Sequence, residues 1–110
     1  MHKIGIDVVN NQRIERLTTP SFIKRVLSSE EIEEYNKRVN KNEYLAGRFA
    51  AKEAILKCYP KDKLPVINQI TIKTGTEGEP VVHYRDSDIQ VSISHDSEVT
   101  VAVALLNVSD

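Results

Sequence analysis

A chain of 110 residues, 40% hydrophobic and 28% charged, has the balance of one globular domain spanning residues 1–110, because two would each be too small to bury a core. Its 15 Lys/Arg against 16 Asp/Glu give a net charge of −1, which argues against bulk electrostatic attachment to nucleic acid or an anionic membrane. The single cysteine, Cys58, excludes an internal disulfide and a multi-cysteine zinc site.

Charge is uneven along the chain. Residues 1–57 hold 11 Lys/Arg and 8 Asp/Glu, while residues 58–110 hold 4 and 8. The basic first half suggests a site there for something anionic. No apolar run approaches the ~20 residues needed to span a bilayer. Asp7 interrupts the first apolar stretch too soon for a signal peptide, so a cytoplasmic protein is expected.

Ile4 to Val9 is rich in β-branched residues and apolar on both alternating faces except at Asp7, which predicts a buried strand. Asn10-Asn11 signals a turn or cap before a short helix through Arg13–Leu17. Thr18-Thr19-Pro20-Ser21 breaks that helix, and Ser21 is expected to cap a second one carrying Phe22, Ile23, Val26 and Leu27. Ser28-Ser29-Glu30-Glu31 is a stronger start signal, with a serine cap and acidic residues at the positive end of the helix dipole. This third helix should reach about Lys41 on the surface. Asn42 to Tyr59 is the longest helical pattern, alanine-rich and stopped by Pro60.

The remainder reads as sheet. Strands are expected at Val66–Lys73, Pro80–Tyr84, Ile89–Ser94 and Val99–Leu106, the last two joined by a tight turn at His95-Asp96-Ser97-Glu98. A strand, several helices and then a run of antiparallel strands make an α+β fold.

Two carboxylates stand where carboxylates are costly. Asp7 lies among Ile4, Ile6, Val8 and Val9, so it must be paired, protonated, metal-bound or lifted to an exposed strand end. At about 100° per residue, Glu53 falls at the centre of a stripe formed by Leu45, Ala46, Phe49, Ala50 and Leu56, with Lys57 on the same side. Arg48 and Lys52 are neighbours on another face, where simple solvation would account for them. Two inward-facing carboxylates can be reconciled by one shared cation, and an oxygen-only donor set favours a hard ion such as magnesium over zinc. Lys57 and Arg48 could neutralise phosphate charge nearby. His95 should stand at the rim of the sheet, at a hairpin tip, where a protonated imidazole beside a phosphate could donate from both nitrogens.

Three segments in this order resemble a known family: Ile4-Gly5-Ile6-Asp7, Gly47-Arg48-Phe49-Ala50-Ala51-Lys52-Glu53-Ala54-Ile55-Leu56-Lys57, and Val91-Ser92-Ile93-Ser94-His95. The resemblance is to holo-(acyl-carrier-protein) synthase, the small bacterial class of 4'-phosphopantetheinyl transferases, and the turn at Gly78-Glu79-Pro80 fits the same pattern. It implies the 4'-phosphopantetheinyl transferase fold and transfer of the 4'-phosphopantetheine arm of coenzyme A onto a serine of apo acyl carrier protein, releasing adenosine 3',5'-bisphosphate. It also implies magnesium on Asp7 and Glu53, with Lys57 adding catalytic charge. Arg48, Lys57, His95 and Pro80 would contact coenzyme A, and active sites would lie between the subunits of a homotrimer. The acidic carrier would dock on Arg13, Phe22 and Arg25, with Phe22 as an apolar anchor. The serine proton would go to Glu53 or to a metal-bound water.

The chain departs from the family at Thr18-Thr19-Pro20, which is less basic than is common there, and it lacks a glycine-rich turn after Tyr59. A coenzyme A- or nucleotide-binding trimer without catalysis and a magnesium-dependent phosphohydrolase are the rival readings. Intact Asp7, Glu53 and Lys57 count against the first, and the want of further carboxylates against the second.

Overall fold

The computed structural model describes residues 1–109 and contains, in order, β1 (His2–Asn10), α1 (Asn11–Leu17), α2 (Pro20–Val26), α3 (Ser29–Lys37), α4 (Lys41–Leu56), β2 (Thr71–Thr74), β3 (Pro80–His83), β4 (Asp88–His95) and β5 (Val99–Asn107). Strands β1, β5 and β4 form an antiparallel sheet in that order, and β2 and β3 pair as a second, two-stranded sheet. The α+β expectation therefore holds.

Helix α4 lies on the larger sheet because both surfaces are built from small residues. Ala46, Ala50 and Ala54 of the helix and Ala102 and Ala104 of β5 are all fully buried. Gly5 of β1 completes this close-approach surface, since a Cβ there would stand 2.0 Å from the Ala54 carbonyl oxygen. The opposite side of α4 is also covered, by α1, α2 and α3, and its Arg48 reaches Ile72 and Thr74 of β2.

That double coverage explains one correction. Arg48 and Lys52 are not solvated: Arg48 is 8% exposed and Lys52 not at all. The buried Lys52 ammonium donates to the Val26 carbonyl (2.8 Å), the Ile67 carbonyl (2.9 Å) and Glu31 Oε1 (2.5 Å). Glu31 in turn accepts from the Ser28 and Ile72 amides, both at 2.8 Å. A buried charge is tolerated when paired and fully hydrogen-bonded, and this pair meets both conditions.

Strand β1 departs from the buried strand expected. It is an edge strand whose even-numbered side is open, with Ile4, Ile6 and Val8 at 70%, 58% and 62% exposure. Gly5, Asp7 and Val9 take the α4 side, as the period of two requires.

The helix starts also shifted. Thr19, rather than Ser21, caps α2 with its side chain accepting from the Phe22 amide, and Pro20 takes the first turn, where its missing N–H costs nothing. Ser28 caps α3 in a reciprocal capping box with Glu31, but the helix ends at Lys37. Asn40 then caps α4, which stops at Leu56, three residues short of the expected end. Thr71 opens β2 because residues Ile67–Gln69 form a short 3-10 turn instead of strand.

Candidate active site

The site starts from the Gly5–Ala54 approach. It brings β1 against the last turn of α4, so Asp7, two residues on, faces the helix side chains. Lys57, the C-cap residue of α4, donates from Nζ to the Ile6 carbonyl at 2.8 Å and to Asp7 Oδ1 at 3.2 Å. Glu53 lies one turn earlier. Burial pushes its carboxyl above the ordinary carboxylate range, the neighbouring Asp7 charge adds to this, and Lys57 opposes both. Residues separated by about fifty positions are thus one electrostatic unit.

A cavity of about 650 Å³ opens farther along α4 toward its N-terminus, with Arg38, Tyr44, Gly47, Arg48, Pro80 and His95 on its walls. Asp7, Glu53 and Lys57 are not among its lining residues. Six residues of helix separate Gly47 from Glu53, about 9 Å of rise, so α4 forms a rail linking cavity to carboxylates.

The cavity wall is cationic, with Lys37, Arg38 and Arg48 against the single carboxylate of Glu43. Two guanidinium groups pack on the Tyr44 ring, with Arg48 Cζ 4.5 Å and Arg38 Cζ 4.9 Å from its centroid. Burial pushes the Tyr44 hydroxyl up to about 12, against the pull of Arg48. Arg48 Nη2 donates to the Ile72 carbonyl (3.0 Å) and Thr74 Oγ1 (3.1 Å), while its buried Nε has no partner. Arg38 pairs with Glu34 and also reaches Thr74 Oγ1 at 3.1 Å. Two guanidinium groups on the wall of this cavity suit an anionic ligand.

His95 sits at the end of β4 with its ring against Gly47, where an added Cβ would stand 3.0 Å from Cε1 and 3.2 Å from Nε2. A side chain at this position would press the imidazole aside by a few tenths of an ångström.

Arg13, Phe22 and Arg25 lie apart from this region, on α1 and α2. Arg13 and Arg25 are exposed. Phe22, expected as an apolar anchor, is 7% exposed, packed on Phe49 at 5.6 Å between centroids, with the Arg25 guanidinium 5.7 Å from its ring. It supports the surface that carries Arg25. Sequence reasoning also missed Tyr44, Arg38 and the Lys52–Glu31 pair. For Lys52 a signal was available, a lysine inside an alanine-rich buried helix, but only the second covering layer made it buried.

Two adjacent carboxylates with no third ligand, no group of three or more His, Cys, Asp or Glu being placed to hold a metal among the described residues, fit magnesium better than zinc. Magnesium accepts one or two protein carboxylates and completes its shell with water and phosphate.

The chain matches the family model of the 4'-phosphopantetheinyl transferase superfamily over residues 3–105. It is 37% identical over 108 residues to the holo-(acyl-carrier-protein) synthase of Mycoplasma mycoides, covering 96% of this chain and 94% of that protein. The Lactococcus lactis subsp. lactis enzyme of the same name is 37% identical, with 93% of each chain covered. Among solved structures, the holo-(acyl-carrier-protein) synthase of Bacillus anthracis in complex with CoA (3',5'-ADP) superposes with a TM-score of 0.84 at 31% identity, covering 97% of this chain and 96% of that one. The Neisseria meningitidis synthase gives 0.86 at 28%, covering 96% and 97%. The chain therefore belongs to the 4'-phosphopantetheinyl transferase superfamily, and the relatives it matches over nearly its whole length are holo-(acyl-carrier-protein) synthases.

Proposed function

We propose that this enzyme transfers the 4'-phosphopantetheine arm of coenzyme A to a serine of apo acyl carrier protein, leaving holo carrier and adenosine 3',5'-bisphosphate, as its relatives are named for doing. The observation that carries the reading is the convergence of Asp7, Glu53 and Lys57 where β1 meets α4.

In this reaction the serine oxygen forms a bond to the β-phosphorus as the bridging P–O bond to the adenosine side breaks. Positioning and neutralisation of charge dominate such a transfer. Asp7 and Glu53 would hold magnesium, which when bound supplies charge neutralisation on the diphosphate. Lys57, held by the Ile6 carbonyl and Asp7, sets a positive charge beside that position. Arg48 and His95 would bind the phosphates of the adenosine portion in the cavity, with Pro80 forming part of its wall.

Docking of the acidic carrier on Arg13 and Arg25 is supported by their exposure, on α1 and α2, in the basic first half of the chain. A homotrimer is supported by the open side of β1: Ile4, Ile6 and Val8 stand in register with Leu105, Val103 and Val101 of β5, an apolar sheet face that a second copy of the chain would cover. Assembly and action in the cytoplasm belong to the same proposal.

Incubating the protein with coenzyme A, magnesium and apo carrier, then weighing the carrier by mass spectrometry, tests the reading. Gain of the phosphopantetheine mass is the expected result. An unmodified carrier would leave a non-catalytic binding protein, and phosphate released without carrier would indicate a hydrolase.

A further inference from the structure

The inward-facing positions of β5 are Thr100, Ala102, Ala104 and Leu106, apolar but for one hydroxyl. Thr100 is fully buried and lies opposite His95 in the β4–β5 register. Burying a hydroxyl is costly unless its hydrogen bonds are used. Thr100 Oγ1 has two partners, Asn11 Oδ1 at 2.7 Å and His95 Nδ1 at 3.0 Å.

The direction of these bonds follows from the Asn11 amide. Its Nδ2 donates to the carbonyls of Asp96 (2.8 Å) and Ser97 (3.3 Å) in the β4–β5 turn, so Oδ1 is turned to Thr100 as an acceptor. Asn11 is itself fixed by its backbone, whose N–H donates to the Glu98 carbonyl at 2.9 Å and whose carbonyl accepts from Asn42 of α4 at 3.0 Å. A hydroxyl has one proton, and here it goes to Asn11. Thr100 Oγ1 can then only accept from His95, which places a proton on Nδ1. Nε2 remains, on the ring edge that rests on Gly47 at the cavity wall.

We propose that Asn11 and Thr100 are positioning residues for His95, a relay that keeps one proton on Nδ1 and aims Nε2 into the cavity, so that a second proton, taken on Nε2, is the one the imidazolium donates to the phosphate-bearing portion of coenzyme A. The identity of the ligand rests on the transferase reading; the relay does not.

Long-range ¹⁵N–¹H correlation NMR of the His95 ring reads the tautomer directly. The unsubstituted protein and Thr100→Ser should show Nδ1–H. Thr100→Val, which keeps the shape and removes the hydroxyl, should lose it. Asn11→Ala frees the Thr100 proton to point at Nδ1 and should populate the Nε2–H form, an effect that a merely structural asparagine would not produce. Calorimetric titration with adenosine 3',5'-bisphosphate should show Thr100→Val weakened about tenfold, the loss expected for one well-placed hydrogen bond, and Thr100→Ser close to the unsubstituted protein. A neutral ring with its one proton on Nε2 in the ligand-free unsubstituted protein, or unchanged nucleotide affinity in folded Thr100→Val, overturns the proposal. A protein that shows the Nδ1–H ring and the Asn11→Ala switch but modifies no carrier retains the relay and loses the transferase reading.

Discussion

Gly5 of β1 and Ala54 of α4 lie so close that a methyl group on Gly5 would stand 2.0 Å from the Ala54 carbonyl oxygen and 3.0 Å from Lys57 Cβ. The obstacle is helix backbone, which cannot swing aside as a flexible side chain would. Gly5→Ala should therefore push β1 off α4, at a cost of about 1–3 kcal/mol of overpacking. Because Asp7 follows two residues later, the same shift should part Asp7 from Lys57 and remove most transfer activity. Denaturant unfolding and carrier mass spectrometry together check this; a variant with native stability and turnover would contradict the geometry.

The Lys52–Glu31 pair makes a prediction about stability alone. Burial pulls the Lys52 ammonium below the usual lysine range while Glu31 holds it up. Lys52→Met removes the cation and leaves a buried carboxylate uncompensated, which should cost about 3–5 kcal/mol. Joining it with Glu31→Leu removes the orphaned charge, so the double variant should recover part of that loss by urea denaturation. A double variant less stable than Lys52→Met would mean that the two side chains do not act as a pair.

Much of this architecture is legible in the residues, and the exceptions have physical causes. Asp7 and Glu53 stood out because each is a carboxylate at an apolar position, an anomaly that needs no coordinates to detect. Ser28 announced its helix through local chemistry. Lys52, Arg48 and Phe22 were misplaced because a helical wheel assumes one buried side, whereas α4 is covered on both, and because α2 turns its aromatic ring toward Phe49. Ile4, Ile6 and Val8 erred in the opposite sense. An apolar strand was read as interior, yet β1 is an edge with one side open, and a surface completed by another copy has the same composition as a core.

The altered place of Phe22 separates two effects at the proposed carrier surface. Phe22→Ala opens a cavity beside Phe49 and should cost about 3–5 kcal/mol. Arg25 is exposed and packs on that ring, so Arg25→Glu should change stability by only about 0.5 kcal/mol. It should nevertheless raise KM for the acidic carrier well above any change in KM for coenzyme A. Equal rises for both substrates would remove Arg25 from the docking surface.

Glu53 and Asp7 set stability against chemistry. With the Glu53 carboxyl raised by burial and by the Asp7 charge, the folded state favours its protonated form. Its contribution to stability is then fully present below the unfolded carboxylate value, about 4.3. It is lost as pH climbs through that value toward the raised folded one. In chelator, the thermal midpoint of the unsubstituted protein should thus fall relative to Glu53→Gln over this interval, and at neutral pH the variant should be the more stable. Magnesium should raise the midpoint of the unsubstituted protein, since binding to the folded state alone stabilises it, and should do little for Glu53→Gln or Asp7→Asn. Both variants should fail to modify carrier. If magnesium raised the midpoint of both variants as much as that of the parent chain, the cation would be bound elsewhere, and the two carboxylates would need another explanation for their adjacency.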